Sequence, residues 1–287
     1  VDFLRPSTLA EALALKAGRP EALPLAGGTD VMVELNFDRR RPAALLDLGG
    51  IGELAEWSSS GEGIRLGAAV PYTRLITELG ERLPGLALAA RTVGSPQIRN
   101  RGTVGGNLGA ASPAGDTHPV LLATGARIEA ASVRGTRLVP AEEFYLGVKR
   151  NALAEDELIT AVHLPPAAGP QQFAKVGTRN AMVIAVCSFA LALEPGRVGA
   201  AIGSAAPTPR RVPAAEEFLT GELPWDAPVP LPDSVKRRFG ELVAAAAEPI
   251  DDVRGTAAYR RHALAVLARR SLTWAWQDIV ERGQACA

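Results

Sequence analysis

The sequence predicts an α+β chain of two domains. Three observations predict it. Short apolar runs closed by glycines alternate with helical stretches in the N-terminal part. A Pro- and Gly-crowded stretch, 165-PPAAGPQ-171, then breaks the pattern and reads as a linker. Beyond it come three strand-like segments in succession, followed by helical periodicity.

The elements follow in order. The stretch 7-STLAEALALKA-17 opens on Ser/Thr cap candidates and carries Leu9, Leu13 and Ala17 at helical spacing, which predicts a short helix. Next, 22-ALPLAG-27 is a brief apolar run stopped by glycine, the mark of a buried strand entering a turn. The stretch 29-TDVMVELNF-37 predicts a helix capped by Thr29 or Asp30, and 43-AALLDL-48 a second buried strand. Strand, helix and strand at this spacing make a small parallel βαβ unit. From Trp57 the texture changes. A turn, SSSGEG, precedes a strand at 62-EGIRLGAAV-70. Helices are predicted at 71–79 and 83–93, and 119-PVLLATGA-126 is helical or a buried apolar run. Strands at 126–132 and 134–140 pair around a tight turn, and 157-ELITAVHL-164 alternates as a half-buried strand does. After the linker, 172-QFAKV-176, 182-MVIAVCSFALAL-193 and 197-RVGAAIGSA-205 predict three antiparallel strands. Helices follow at 213–221, 232–247 and 256–280, the last with Tyr259, Leu264, Leu267, Leu272 and Trp276 along a packed face.

Composition excludes several functions. Lys plus Arg total 31 and Asp plus Glu total 31, a balance that argues against a nucleic-acid or membrane-surface binder. There is no apolar run of the ~20 residues a membrane span needs. The opening VDFLRPSTLAEAL has no basic-then-apolar leader pattern. Cys187 and Cys286, far apart, are too few for an iron–sulfur cluster, which takes about four cysteines. They make no disulfide framework either, so a reducing cytoplasm is the expected compartment. His118, His163 and His262 are scattered without metal-ligand spacing. Ser112 sits in ASPAGD without G-x-S-x-G around it and reads as a loop hydroxyl capping backbone. No catalytic residue and no metal site is therefore expected on this chain.

Two stretches stand apart, 24-PLAGGTDVM-32 and 101-RGTVGGNLGAASPAGD-116. Each leaves the backbone bare at a Gly-Gly pair and follows it with small polar residues. Such a pair marks a tight turn as readily as a ligand site. Bare amides can also solvate a diphosphate without a long basic side chain, and two such loops together can hold one. Neither G-x-x-x-x-G-K-[ST] nor a strand-borne G-x-G-x-x-G is present, so a P-loop and a standard dinucleotide fold are not indicated. Arg99 and Arg101, before the second loop, read first as braces paired with acids and second as phosphate or nucleic-acid contacts. Arg260, Arg261, Arg269 and Arg270 read first as the solvated face of the last helix and second as a contact with a partner subunit.

LAGGTD at 25–30 and IRNRGTVGGNLGAASPAGD at 98–116 resemble the paired FAD motifs of the medium, flavin-binding subunit of molybdenum hydroxylases, the family of xanthine dehydrogenase and aerobic carbon monoxide dehydrogenase. The resemblance runs on through 157-ELITAVHLP-165, 173-FAKVGTRNA-181, 207-PTPRR-211 and 251-DDVRGTAAYRRHALAVLARR-270. It implies an FAD-binding domain of the vanillyl-alcohol-oxidase (PCMH) type at 1–168, made of two α/β subdomains, 1–57 and 58–168. A C-terminal flavoprotein domain at 169–287 would carry a three-stranded antiparallel sheet and a helical bundle.

The resemblance also implies roles. Pro24, Leu25, Ala26, Gly27, Gly28, Thr29, Asp30 and Val31 would wrap the pyrophosphate. Thr103, Val104, Gly105, Gly106 and Asn107 would close over it. Val93 would lie beside the cofactor, Asp116 would bind its nucleotide portion, and Ile159 would touch the flavin or adenine end. Lys175 would reach FAD, and Ile184 falls near a position packing on the isoalloxazine. The molybdenum cofactor and [2Fe–2S] clusters would belong to a large and a small partner subunit, in a dimer of heterotrimers. Electrons would leave through this chain to NAD, oxygen or a quinone, after a purine or other N-heterocycle is oxidised elsewhere. A self-sufficient single-chain FAD oxidoreductase is the alternative.

Overall fold

The chain begins with β1 (Asp2–Leu4), α1 (Leu9–Gly18), β2 (Leu23–Leu25), α2 (Val31–Asn36) and β3 (Ala44–Asp47), in a computed structural model that describes residues 1–285. The three strands form a parallel sheet of order β1-β3-β2. Helix α1 starts where a reciprocal cap satisfies its free amides. Thr8 Oγ1 accepts from Glu11 N at 3.2 Å, and Glu11 Oε2 accepts from Ser7 N at 2.8 Å. Asp30 occupies the cap position of α2 but makes no capping bond with its side chain. Strand β1 escaped the sequence pattern because it is three residues long and mostly exposed.

The second layer holds β4 (Trp57–Ser60), β5 (Gly63–Gly67), α3 (Tyr72–Glu78), α4 (Pro84–Thr92), α5 (Pro96–Arg101), α6 (Val104–Ala110), α7 (His118–Ala123), β6 (Arg127–Ser132), β7 (Gly135–Pro140), α8 (Ala141–Phe144), β8 (Tyr145–Gly147), β9 (Arg150–Asn151) and β10 (Leu158–Leu164). Its sheet runs β4-β5-β10-β6-β7 with every pair antiparallel. The SSSGEG stretch, expected as a turn, is in part the edge strand β4. A serine run reads as loop by composition, yet an edge strand asks only for backbone partners, and these serines face solvent. Strand β10 is central and buried on both faces, not half-buried. Its polar positions are satisfied inside the sheet: Thr160 Oγ1 donates to Glu129 Oε1 at 2.7 Å, and His163 Nε2 lies 2.7 Å from Glu129 Oε2. Burial opposes charge on Glu129, but Arg65, Thr160 and His163 outweigh it and bring the carboxyl down to about 2.

After the linker come β11 (Gln171–Val176), β12 (Cys187–Glu194), β13 (Arg197–Gly203), β14 (Arg210–Arg211), α9 (Pro213–Glu222), α10 (Asp233–Ala245) and α11 (Ala257–Ala285). Three long antiparallel strands gain a two-residue fourth at the edge, in the order β11-β12-β13-β14. Strand β12 begins at Cys187, five residues later than its apolar run suggested. Met182 is left-handed at φ 51°, and the segment before Cys187 leaves the sheet. Phe189, Leu191, Phe239, Leu264, Leu267, Leu272 and Trp276 form the core beneath the helices. Tyr259, expected among them, is 48% exposed. Arg260, expected on a solvated face, is 2% exposed. It donates to Val186 O at 2.8 Å, Ser204 O at 2.6 Å and Asp252 Oδ1 at 2.6 Å. Cys187 is buried, which pushes its thiol up to about 12; Cys286 lies outside the described residues. Among the described residues no helix is long and apolar enough to cross a membrane, and no cluster of three or more His, Cys, Asp or Glu could hold a metal.

Candidate active site, a cleft between two glycine segments

The two glycine segments meet. The first leaves β2, is held to β3 by Leu48 N donating to Leu25 O at 2.8 Å, and turns at Gly28 with φ 75°. That left-handed angle suits glycine. The second leaves α5 and enters α6. Thr103 caps α6, its Oγ1 accepting from Gly106 N at 2.9 Å, and is itself buried. A Cβ on Gly27 would fall on the carbonyl oxygen of Arg101 and 3.0 Å from Gly102 N. One on Gly105 would lie 2.6 Å from Ala68 Cβ. Bareness at these two positions lets the chain approach itself closely. The amides of Gly27, Gly28, Thr29 and Asp30 find no acceptor among the described residues.

A cleft of about 1090 Å³ opens between the segments, at the upper end of the ~300–1,000 Å³ of ordinary ligand sites. Pro24, Ala26, Gly27, Gly28, Thr29, Asp30 and Val31 line it from one side. Thr103, Gly105, Gly106, Asn107 and Asp116 line it from the other, with Val93, Ile159 and the 55% exposed Ile184 completing the wall. Leu25, Val104 and Lys175 are not on the wall. Sequence reasoning missed Lys16, Leu23, Arg40, Glu157, Met182 and Val183, which also line it. For Lys16 a signal existed: it shares a buried helix face with Ala12, one turn away. Its ammonium donates to Pro20 O at 2.5 Å and Ala22 O at 2.9 Å. Arg99 braces the cleft as expected in place but not in kind, donating to the carbonyls of Val93 and Gly94, 3.0 Å each, and not to acids.

Lys175 stands behind the wall. Its three protons are committed to Asp116 Oδ2 at 2.5 Å, Thr92 O at 3.0 Å and Val183 O at 3.1 Å. Asp116 also accepts from Thr92 Oγ1 at 3.1 Å. Burial raises the Asp116 carboxyl above its ordinary value, and Lys175 opposes that rise. The other carboxylate oxygen, Oδ1, is buried without a partner among the described residues, on a residue that lines the cleft.

Unpaired amides on one wall and an orphaned acceptor on the other suit a ligand carrying both a diphosphate and hydroxyl or N–H donors. Residues 1–167 match the family model of the FAD binding domain in molybdopterin dehydrogenase, and 172–275 that of the CO dehydrogenase flavoprotein C-terminal domain. This chain belongs to the molybdopterin dehydrogenase flavin subunits. It is 32% identical to the xanthine dehydrogenase FAD-binding subunit of Escherichia coli O157:H7 over 94% of each chain. It is 31% identical to the carbon monoxide dehydrogenase medium chain of Afipia carboxidovorans, over 94% of this chain and 95% of the other. Among solved structures, quinoline 2-oxidoreductase from Pseudomonas putida 86 superposes with a TM-score of 0.89, covering 97% of this chain and 98% of that one at 26% identity. The chain thus carries the FAD-binding domain of that family, and the donor and acceptor set of the cleft fits that cofactor.

Proposed function

We propose that this flavin subunit is the exit station for electrons in a molybdenum hydroxylase. It would take them from [2Fe–2S] clusters on a small partner subunit and hand them to NAD, oxygen or a quinone. A large molybdopterin subunit would oxidise the substrate, a purine or other N-heterocycle, in a dimer of heterotrimers in the cytoplasm. Bound FAD supplies the redox chemistry, and the chain holds, orients and shields it. The observation that carries the reading is the convergence of two distant glycine segments on one cleft with unpaired amides.

In this reading the amides of Gly27 to Asp30 donate to the diphosphate. Asp116 Oδ1 accepts from a donor on the cofactor, and Lys175 keeps that carboxylate charged and aimed. Ile184 and Val93 offer apolar contact to ring surface, and Lys16, Leu23, Arg40 and Glu157 line the cleft as well.

Purification of the native complex tests this. Stoichiometric FAD should be released on denaturing this chain, and molybdenum and iron should travel with its partners. A lone chain whose flavin is reduced directly by an organic substrate would overturn it.

A further inference from the structure

Beneath the second glycine segment lies a file of buried hydroxyls that ends at the cleft. Thr117 is 0% exposed, and its Oγ1 is 2.7 Å from Asn107 Oδ1. The Tyr72 hydroxyl is also buried and forms no hydrogen bond. Asn107 lines the cleft.

The Thr117 hydroxyl has a single proton to place. The Tyr72 hydroxyl takes part in no hydrogen bond, so it supplies no acceptor for the Thr117 proton. The Thr117 proton then needs an acceptor of its own. Among the described residues the Thr117 hydroxyl makes one hydrogen bond, and it is to the Asn107 side chain. If the Asn107 amide were turned over, its NH₂ would face Thr117 and leave the hydroxyl proton buried and unmet. Such a loss is enough to set the amide one way. With Oδ1 held inward, Nδ2 is left for the cleft. Gly115 stands beside it without a side chain: a Cβ there would lie 2.9 Å from Asn107 Nδ2.

We propose that Thr117 is a positioning residue that makes Asn107 an obligate donor to an acceptor oxygen of the dinucleotide. The proposal rests on the reading of the cleft as the FAD site. An amide free to turn over would offer lone pairs to the diphosphate as often as protons. The buried hydroxyl removes that choice without touching the ligand.

FAD titration of the full chain, followed by quenching of flavin fluorescence, tests it. Thr117→Val should weaken FAD binding by about 10-fold, and Thr117→Ser should stay within about twofold of the unaltered chain. Asn107→Ala should weaken binding to a similar or greater extent, and adding Thr117→Val to it should cost nothing further. A hydroxyl that merely supported the fold would give losses that multiply, and that result would overturn the proposal, as would wild-type affinity in Thr117→Val. If Thr117→Val does not fold, Asn107→Asp decides. Its isosteric, acceptor-only side chain should bind FAD at least about 10-fold more weakly, and unchanged affinity would overturn the donor assignment. An unaltered chain that fails to bind FAD would instead bring down the reading of the cleft, and this proposal with it.

Discussion

Replacing Lys175 by Met leaves the Asp116 carboxylate without its cation. Both side chains are nearly enclosed, 9% and 7% exposed, and the pair is 2.5 Å apart. Removing one partner of a buried pair costs about 3–5 kcal/mol. Protonation of Asp116 sets a bound on the same cost. The variant can neutralise Asp116 by taking up a proton. From an ordinary carboxyl value of 3.8, doing so at pH 7 costs about 4.4 kcal/mol at ~1.36 kcal/mol per pH unit. The expected loss is therefore about 3–4 kcal/mol at pH 7. The sign with pH follows. In the variant, Asp116 has a folded pKa raised above its unfolded one, so its contribution is complete below the unfolded value and lost as pH rises through the folded one. The deficit against wild type should accordingly shrink toward acid, to roughly 1.6 kcal/mol at pH 5. Denaturant unfolding of the full chain at the two pH values measures it. A deficit equal at both would show that packing and the two carbonyl bonds, not an uncompensated charge, set the cost. So would a Lys175→Met/Asp116→Asn double variant no more stable than Lys175→Met.

Two further outcomes are expected. Gly27→Ala places a methyl on the Arg101 carbonyl, which must push the glycine segments apart; overpacking of this kind costs about 1–3 kcal/mol, and equilibrium dialysis should show FAD affinity lower by about 10-fold or more, with wild-type affinity refuting the close approach. His118 is buried against Tyr145, its Nδ1 2.8 Å from the phenol oxygen, and burial brings it down from 6.5 to about 3; a folded pKa below the unfolded one means stability is lost as pH falls through the window from 6.5 toward 3, about 2 kcal/mol by pH 5. His118→Gln should flatten that stretch of the stability–pH curve, and an unchanged slope would show that other groups set it.

Much of the fold was legible because burial leaves a period in the sequence. The helices at 7–17, 71–79 and 83–93, the hairpin at 126–140 and the three late strands all carry it. What failed to show has a physical reason in each case. Edge strands β1 and β4 need hydrogen bonds more than apolar side chains, so Asp2 to Leu4 and the serines after Trp57 leave no pattern. The apolar run at 182–186 looked like strand because the wall of a cleft is as hydrophobic as a core. The glycine segments themselves announced a site. Which glycine faces a ligand and which faces the chain did not, since Gly27 and Gly105 answer to Arg101 and Ala68, partners distant in sequence. Lys175 could be placed near the site only through resemblance. That its protons are spent on Asp116, Thr92 and Val183 is a tertiary fact with no local trace. Arg260 hid for the same reason: a guanidinium amid helical arginines looks solvated until the carbonyls it serves are known.

Arg260 reaches from the last helix to Val186 O, two residues from Ile184 on the cleft wall. The helix and the mouth of the cleft are thereby one mechanical piece, although the helix itself lines none of the cleft. A substitution that shifts the helix at Arg260 would move Val186 and so reach the cleft wall as well as the core. A screen for cofactor loss would therefore recover lesions remote from the cleft, and their distance would not mark them as indirect.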